Sequence, residues 1–298
     1  MINLNRLAMY AAVAEAGSFT AAADALGTTK AVVSFNIKQL EQELGVALLT
    51  RSTRRLALTE AGEGFYGHCA RLLREAEAAV DEARSGQTAL SGSLRVTASV
   101  DYGNRVVAPA LAAFARAHPA LRVGYRAGSA HADLIAERLD LAIRVGALED
   151  SSYRATRIGQ FRLWIVGSPD LLAQHGAPRT PQALAALPWL ANRPGRSDRW
   201  RLTDSKGREH ELRVAPVAQA DTASALLAFA EAGCGVAALP EWLLEEPLAR
   251  GTLQRLLPSY ALPRLEVYAV YPDTRHVSAK VRRFIDFLRE RLVPSGKP

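Results

Sequence analysis

The residues with the clearest chemical potential lie between positions 18 and 59. Thr28, Thr29, Lys30, Ala31, Ser34, Phe35 and Lys38 fall in one short stretch, and Arg51, Thr53, Arg54 and Arg55 follow in another. Hydroxyls and lysines on one helix face suit hydrogen bonding to base edges and phosphates, and arginines on a hairpin suit phosphate contact. Such work needs a scaffold. Ser18 is an N-cap signal for a helix running to Leu26, and Gly27 ends it. Thr28 or Thr29 can cap a second helix, in which Val33, Ile37, Leu40 and Leu44 form one buried stripe at intervals of 4, 3 and 4 residues. Ala31, Ser34, Phe35 and Lys38 are left on the opposite face. Two short helices joined by a tight turn cross steeply, which is the geometry of a helix-turn-helix reader of the DNA major groove. Two ordinary helices of a globular core share the same local pattern.

Enzymatic chemistry finds little support. Gly233-Cys234-Gly235-Val236-Ala237-Ala238 fits a loose G-x-G-x-x-A pattern, but it follows a helix and precedes a strand. That reverses the dinucleotide-binding order, so no helix N-terminus would receive a phosphate. The six histidines show no H-E-x-x-H spacing, and neither a G-x-S-x-G elbow nor a phosphate-binding loop occurs. Cys69 and Cys234 have no ligand-spaced neighbours, which argues against a zinc site or a disulfide framework. No catalytic residue, metal site or cofactor is expected.

At 298 residues and 49% hydrophobic content the chain suits two or three compact units. No stretch has the apolar length that spans a bilayer, and Glu15 and Asp24 interrupt the first thirty residues, so a cytoplasmic protein without a membrane partner is expected. The net charge of +7 points to an anionic partner, but residues 1–62 hold six Lys/Arg against five Asp/Glu, a balance of only +1. DNA binding must therefore rest on where the cations point. The excess gathers near the other end, where residues 275–298 hold seven Lys/Arg against Asp286 and Glu290, a pattern that also fits the solvated face of a last helix.

The remaining elements follow in order. Leu4, Leu7, Ala8, Ala11 and Ala14 mark a supporting first helix, and residues 47–50 and 55–58 bracket a basic hairpin. A long helix runs from about 59 to 85, with Phe65, Cys69, Leu72, Ala76, Ala79 and Ala83 at the spacing of a two-helix coil. A helix packed on its own domain is the plainer alternative. Gly- and Ser-containing residues 86–92 read as a boundary. Beyond it, strands at Leu94, Val96 and Ala98, at Leu121, Val123 and Tyr125, and at residues 141–145 alternate with helices, one of them through Leu134 and Ile135. Strands at 161–167 and 265–271 bracket a second region, with a helix at Thr180-Pro181, a turn at Ser205-Lys206-Gly207 and a helix capped by Asp221. A last helix with Val277, Val281, Phe284, Ile285, Leu288 and Leu292 on one face would return to the first lobe. Two chain crossings make a hinged cleft. Ser99 and Asp221-Thr222 fall after strands, where an open sheet binds ligands and helix N-termini offer free N–H groups. Each is equally readable as a loop or cap residue with no ligand.

Leu4-Asn5-Arg6-Leu7, residues 11–23, Leu26-Gly27, Val33-Ser34, Leu40-Glu41, Glu43-Leu44-Gly45-Val46, Leu48-Leu49, Arg51, Thr53-Arg54-Arg55 and Leu58-Thr59-Glu60-Ala61-Gly62 together resemble the N-terminal domain of LysR-type transcriptional regulators. Residues 140–146, Asp150-Ser151-Ser152, Gly167-Ser168-Pro169 and residues 233–240 are similar to the effector-binding domain of that family. The resemblance implies an α plus α/β chain: a winged helix-turn-helix over 1–62, a linker and dimerisation helix with its hinge over 63–90, and a two-lobed α/β domain over 91–298. That domain resembles type 2 periplasmic solute-binding proteins, with lobe I at 91–163 and 269–298 and lobe II at 164–268. It implies contact with double-stranded DNA through Ser18, Thr28, Thr29, Lys30, Ala31, Ser34, Phe35 and Lys38, and through Arg51, Thr53, Arg54 and Arg55 on the wing. It also implies a small-molecule effector at Ser99, Val100, Asp101, Tyr102, Gly128, Ser129, Val145, Gly146, Asp221 and Thr222. The coil-spaced residues of the long helix would pair a homodimer, or the dimers of a homotetramer, and RNA polymerase is a further partner open to such a regulator. The expected function is sequence-specific, effector-responsive transcription regulation; the alternative is a cytosolic enzyme or solute-binding module on the two-lobed fold. The chain departs from the family at Lys30-Ala31, where a Gln-Pro pair is usual, and at Phe35, where arginine is usual.

Overall fold

The computed structural model describes residues 3–51, 56–83, 90–128, 133–135, 137–148, 153–192, 198–273 and 277–292. Helix α1 (Leu4–Ala16) lies under α2 (Phe19–Ala25) and α3 (Lys30–Leu44), and Leu7, Tyr10, Val13, Ala22, Val33, Ile37 and Leu40 close their shared core. Strands β1 (Leu49–Arg51) and β2 (Leu56–Leu58) pair antiparallel as the stem of the wing. The Glu41 carboxylate ties the wing to α3 by accepting the N–H groups of Leu48 and Leu49 at 2.8 and 3.1 Å.

Helix α4 (Glu60–Ala83) is fastened where it begins. Thr59 Oγ1 donates to the Ala47 carbonyl at 2.8 Å and accepts from Gly62 N at 2.9 Å, so it serves as an N-cap. The buried Tyr10 hydroxyl donates to the Gly62 carbonyl at 2.9 Å. A Cβ on Gly62 would stand 2.1 Å from the Leu48 carbonyl oxygen, which explains the glycine: only a bare backbone approaches this closely.

The first lobe is a five-stranded sheet in the order β4-β3-β5-β14-β6, built from β3 (Gly92–Ala98), β4 (Leu121–Ala127), β5 (Leu141–Val145), β6 (Tyr153–Phe161) and β14 (Leu265–Pro272). Strands β3, β4 and β5 run parallel, and β14 runs antiparallel between β5 and β6. After β3 comes a continuous helical stretch: α5 (Val100–Tyr102), a π turn (Gly103–Val107) and α6 (Ala108–Ala117). Phe114 of α6 meets Phe284 of α11 (Ala279–Leu292) at 5.2 Å, so the last helix covers the first lobe as its apolar face requires.

The second lobe holds β7 (Leu163–Gly167), α7 (Pro169–His175), α8 (Pro181–Ala185), β8 (Trp189–Asn192), β9 (Arg199–Thr203), β10 (Glu209–Arg213), β11 (Pro216–Ala220), α9 (Ala223–Glu231), β12 (Ala237–Pro240), a 3-10 turn (Glu241–Leu243), α10 (Glu245–Arg250) and β13 (Gln254–Arg255). β7 sits between β12 and β13, and β8 pairs with β11 and bridges to Val236 through Trp189. The fully buried Trp189 indole donates to the Leu184 carbonyl at 3.0 Å.

Four expectations are corrected. Residues 133–135 and 137–139 form a turn rather than part of a helix, because Asp133 Oδ1 accepts Ile135 N at 2.8 Å in an Asx turn that diverts the chain. The run expected as one strand over 161–167 is divided at Arg162, with β6 ending in the first lobe and β7 beginning the second. The return to the first lobe precedes Leu265 rather than falling at 269, since Leu265 already pairs with Phe161. On β4 only Leu121 is buried, and Val123 is exposed on the edge strand.

Candidate nucleic-acid interface and ligand cleft

Helix α3 divides by face. Val33, Ile37 and Leu40 have no exposure, whereas Lys30, Ala31 and Lys38 are exposed, Ser34 is half-buried and Phe35 is 62% exposed. Val32, exposed on the same side, was missed because a β-branched apolar residue beside Val33 reads as core. The Asn36 amide donates to the Val32 carbonyl at 2.9 Å. The exposed face of α3 therefore carries an apolar ridge, Val32 and Phe35, between Lys30 and Lys38.

Two of the expected DNA contacts have structural work. Ser18 Oγ accepts Ala21 N at 3.5 Å and caps α2, and Thr29 Oγ1 accepts Val32 N at 3.4 Å and caps α3, which decides between Thr28 and Thr29. Thr28 is half-buried in the turn after Gly27, whose positive φ of 63° suits a residue without a side chain. Arg51 ends β1 opposite Leu56, and its side chain lies outside the described residues, as do Thr53, Arg54 and Arg55.

The long helix corrects the coil seam at its first positions. Cys69 is 1% exposed within the winged-helix core, and Phe65 packs half-buried on Tyr10 with ring centroids 5.6 Å apart, so Cys69 already has its apolar neighbours within the chain. Burial pushes the Cys69 thiol up to about 11. Leu72, Ala76 and Ala79 are exposed, and nothing is described of the Ala83 side chain.

In the cleft, Ser99 follows β3 and leads into α5 without making a side-chain capping bond, and Val100 is exposed. Asp101 reaches across the lobes: its Oδ2 accepts Ala223 N, in the first turn of α9, at 2.5 Å. The N-terminus of α9, where an anionic ligand group would be welcome, thus holds a carboxylate of the chain itself. Thr222, not Asp221, caps this helix, accepting Ala225 N at 3.3 Å, while Asp221 is exposed. The reason is position: the residue with extended backbone immediately before Ala223 must be the cap.

Tyr102 is a further correction. It is 4% exposed, with its ring centroid 5.6 Å from Phe161 and 5.8 Å from Trp242, and burial raises its phenol. It packs between Phe161 and Trp242, whose buried Nε1 has no partner among the described residues. Trp242 was overlooked, for it lies far from Tyr102 in sequence and carries no motif. Gly128 N donates to Ala98 O at 3.0 Å, and Gly146, with φ 87°, donates to Glu266 O at 2.9 Å after half-buried Val145. Ser129 lies outside the described residues. Arg162 and Glu241 pin one crossing, with Arg162 Nε donating to Glu241 Oε2 at 2.8 Å and Glu241 N to Arg162 O at 3.0 Å.

A winged helix-turn-helix joined by a long helix to a two-lobed α/β cleft defines a ligand-responsive DNA-binding regulator. A family model described as bacterial regulatory helix-turn-helix protein, lysR family, matches residues 4–63, and one described as LysR substrate binding domain matches residues 87–293. The HTH-type transcriptional regulator PtxR of Pseudomonas aeruginosa is 38% identical over 292 residues, covering 98% of this chain and 93% of the relative. The solved structure of CrgA, a LysR-type regulator from Neisseria meningitidis, is 32% identical, covers 98% of this chain and 100% of its own, and has a TM-score of 0.60. The full-length Vibrio cholerae virulence activator AphB is 30% identical, with coverages of 96% and 98% and a TM-score of 0.60. The chain belongs to the LysR family of transcriptional regulators. It is a DNA-binding regulator with an effector-binding domain, and its relatives are regulators rather than enzymes.

Proposed function

We propose that the protein works in the cytoplasm as a homodimer, or a dimer of dimers, that reads a two-part operator with α3 and responds to a small molecule between the lobes. The units are those expected from sequence, with the return to lobe I moved before Leu265. Lys30, Ala31, Ser34, Phe35 and Lys38 enter the major groove, with the wing of Arg51 and its neighbours along the backbone. Leu72, Ala76 and Ala79 meet their equivalents in the second copy. The exposed side of α3, opposite a fully buried stripe, carries this reading, since a helix projecting a lysine-flanked face has no use for it in its own core. RNA polymerase is a partner once the operator is occupied.

In the cleft, Ser99 offers a hydroxyl with no capping bond among the described residues, Gly128, Val145 and Gly146 line the sheet end, and Asp101 and Thr222 face the ligand from opposite lobes. An anionic effector would have to displace Asp101 from α9. A polar neutral or cationic effector can instead satisfy Asp101 in place.

Phenylalanine at position 35 cannot hydrogen-bond guanine, but it can pack on thymine methyls. Binding-site selection from random duplexes tests the reading helix. The native protein is expected to enrich a defined half-site with thymine at one step; Phe35→Ala loses that preference and Phe35→Arg replaces it with guanine, each by about 1–3 kcal/mol of discrimination. Unchanged base preferences in both variants would show Phe35 packed against the wing or the partner copy, and no enriched sequence would remove the operator-reading proposal.

A further inference from the structure

The winged domain and the first lobe are joined by a second contact besides the chain itself. Glu15, in the last turn of α1, forms an ion pair with Arg138: Arg138 Nη1 donates to Glu15 Oε2 at 3.0 Å, and Nε lies 2.5 Å from Oε1 without hydrogen-bond geometry. Both side chains are mostly shielded, 17% and 28% exposed, so the pair is less screened than an ordinary surface bridge. Helix α4 joins from the side. Tyr66 OH donates to Glu15 Oε1 at 3.3 Å, the Arg138 guanidinium lies 5.9 Å from the centre of the Tyr66 ring, and Arg74 Nη1 donates to the Leu134 carbonyl at 3.1 Å.

The turn that presents Arg138 is over-determined. Arg138 has a φ of +47°, a left-handed backbone that costs a side-chain-bearing residue energy and persists only where its surroundings demand it. Those surroundings are visible: Arg138 N donates to Ile135 O at 3.3 Å, Leu139 N to Leu134 O at 2.9 Å, and the Tyr153 hydroxyl to Asp133 Oδ1 at 2.7 Å. Two residues on, Asp140 Oδ2 accepts Arg95 N at 2.7 Å. The chain then enters β5, which pairs with β3 and β14 on its two sides and ends at Val145-Gly146 in the cleft. One buried strand therefore has the interdomain pair at its first end and a candidate ligand loop at its last.

We propose that Arg138 is a positioning residue: with Glu15 it holds the DNA-binding domain in one orientation on the first lobe and so sets the distance between the two reading helices of a dimer. This rests on the proposed dimeric operator reading. A reader with a rigid link tolerates only one half-site separation, whereas a reader joined by α4 alone tolerates several.

The test uses full-length protein and an operator obtained by selection, with its half-sites moved apart or together by one to five base pairs. Three variants are compared: Glu15→Ala, Arg138→Gly, and the exchanged pair Glu15→Arg with Arg138→Glu. Glycine accepts a positive φ, so Arg138→Gly removes the side chain without straining the turn, and a thermal melt close to that of the native protein checks folding. The native protein is expected to favour one separation by about tenfold or more, both single variants to bind all separations within about threefold of one another, and the exchange to restore most of the preference. Affinity for an isolated half-site stays unchanged. Retention of the native spacing preference in both single variants overturns the proposal, as does a loss that the exchange leaves unrestored. Failure of the native protein to bind any selected duplex would instead defeat the operator reading on which it stands.

Discussion

The two halves of α4 have the same apolar spacing and opposite surroundings. In the first, Tyr66, Cys69 and Ala70 are buried against the chain's own helices, and Tyr10 holds the Gly62 carbonyl. In the second, Leu72 is 52% exposed and Val80 47%, with Ala76 and Ala79 also open. The stripes part at Cys69. At 100° per residue Leu73 lies about 40° one way and Leu72 about 60° the other, so Leu73 follows the core while Leu72 turns from it. An apolar periodicity tells which face needs cover but not which surface supplies it. Here one helix serves an intrachain core for its first turns and offers a bare stripe for its next ones.

Charge substitutions should separate the halves most sharply. Cys69→Asp places a carboxylate in the winged-domain core beside Tyr10, and that domain is expected to lose about 3–5 kcal/mol, enough to abolish operator binding. Chemical denaturation reads this directly, and a near-native midpoint would erase the distinction between the halves. Ala76→Asp is expected to leave the unfolding free energy of the winged domain within about 0.5 kcal/mol, as for an exposed site, while sedimentation finds monomer and tight operator binding is lost. A dimer persisting in this variant would move the pairing surface off α4.

The mildest probe is the thiol itself. With Cys69 pushed up to about 11 by burial, little of it is thiolate at pH 8.5, and the sulfur is also shielded. The sign is that reactivity climbs as pH rises toward that value. One equivalent of a thiol reagent should therefore react quickly, at exposed Cys234, and a second only in denaturant. Two fast equivalents at pH 8.5 would show that the first half of α4 opens in solution.

The DNA-reading unit was legible because its signals are local. Ser18 and Thr29 cap, Gly27 and Gly45 terminate, and the stripe from Val33 to Leu40 is fully buried, each within one helix of its cause. Glu41 and Gly62 could be matched as family positions but not explained, since their partners Leu48, Leu49 and Tyr10 arrive through folding. The cleft was legible only as loops. Asp101 and Ala223 are separated by 122 residues, and neither residue type foretells that the carboxylate of the first accepts the N–H of the second.

By itself the sequence determined the kind of most elements, the buried face of the recognition helix and the family, because periodicity, caps and a long ungapped match are written in consecutive residues. Tertiary structure alone decided which apolar stripe found cover, that Tyr102 is buried against Phe161 and Trp242, that β14 joins the first lobe from Leu265, and that Glu15 meets Arg138. Those outcomes depend on which distant surfaces compete for the same contact. Burial and ion pairing are settled among all of them at once, by the packing that leaves the least apolar area and the fewest unpaired charges behind.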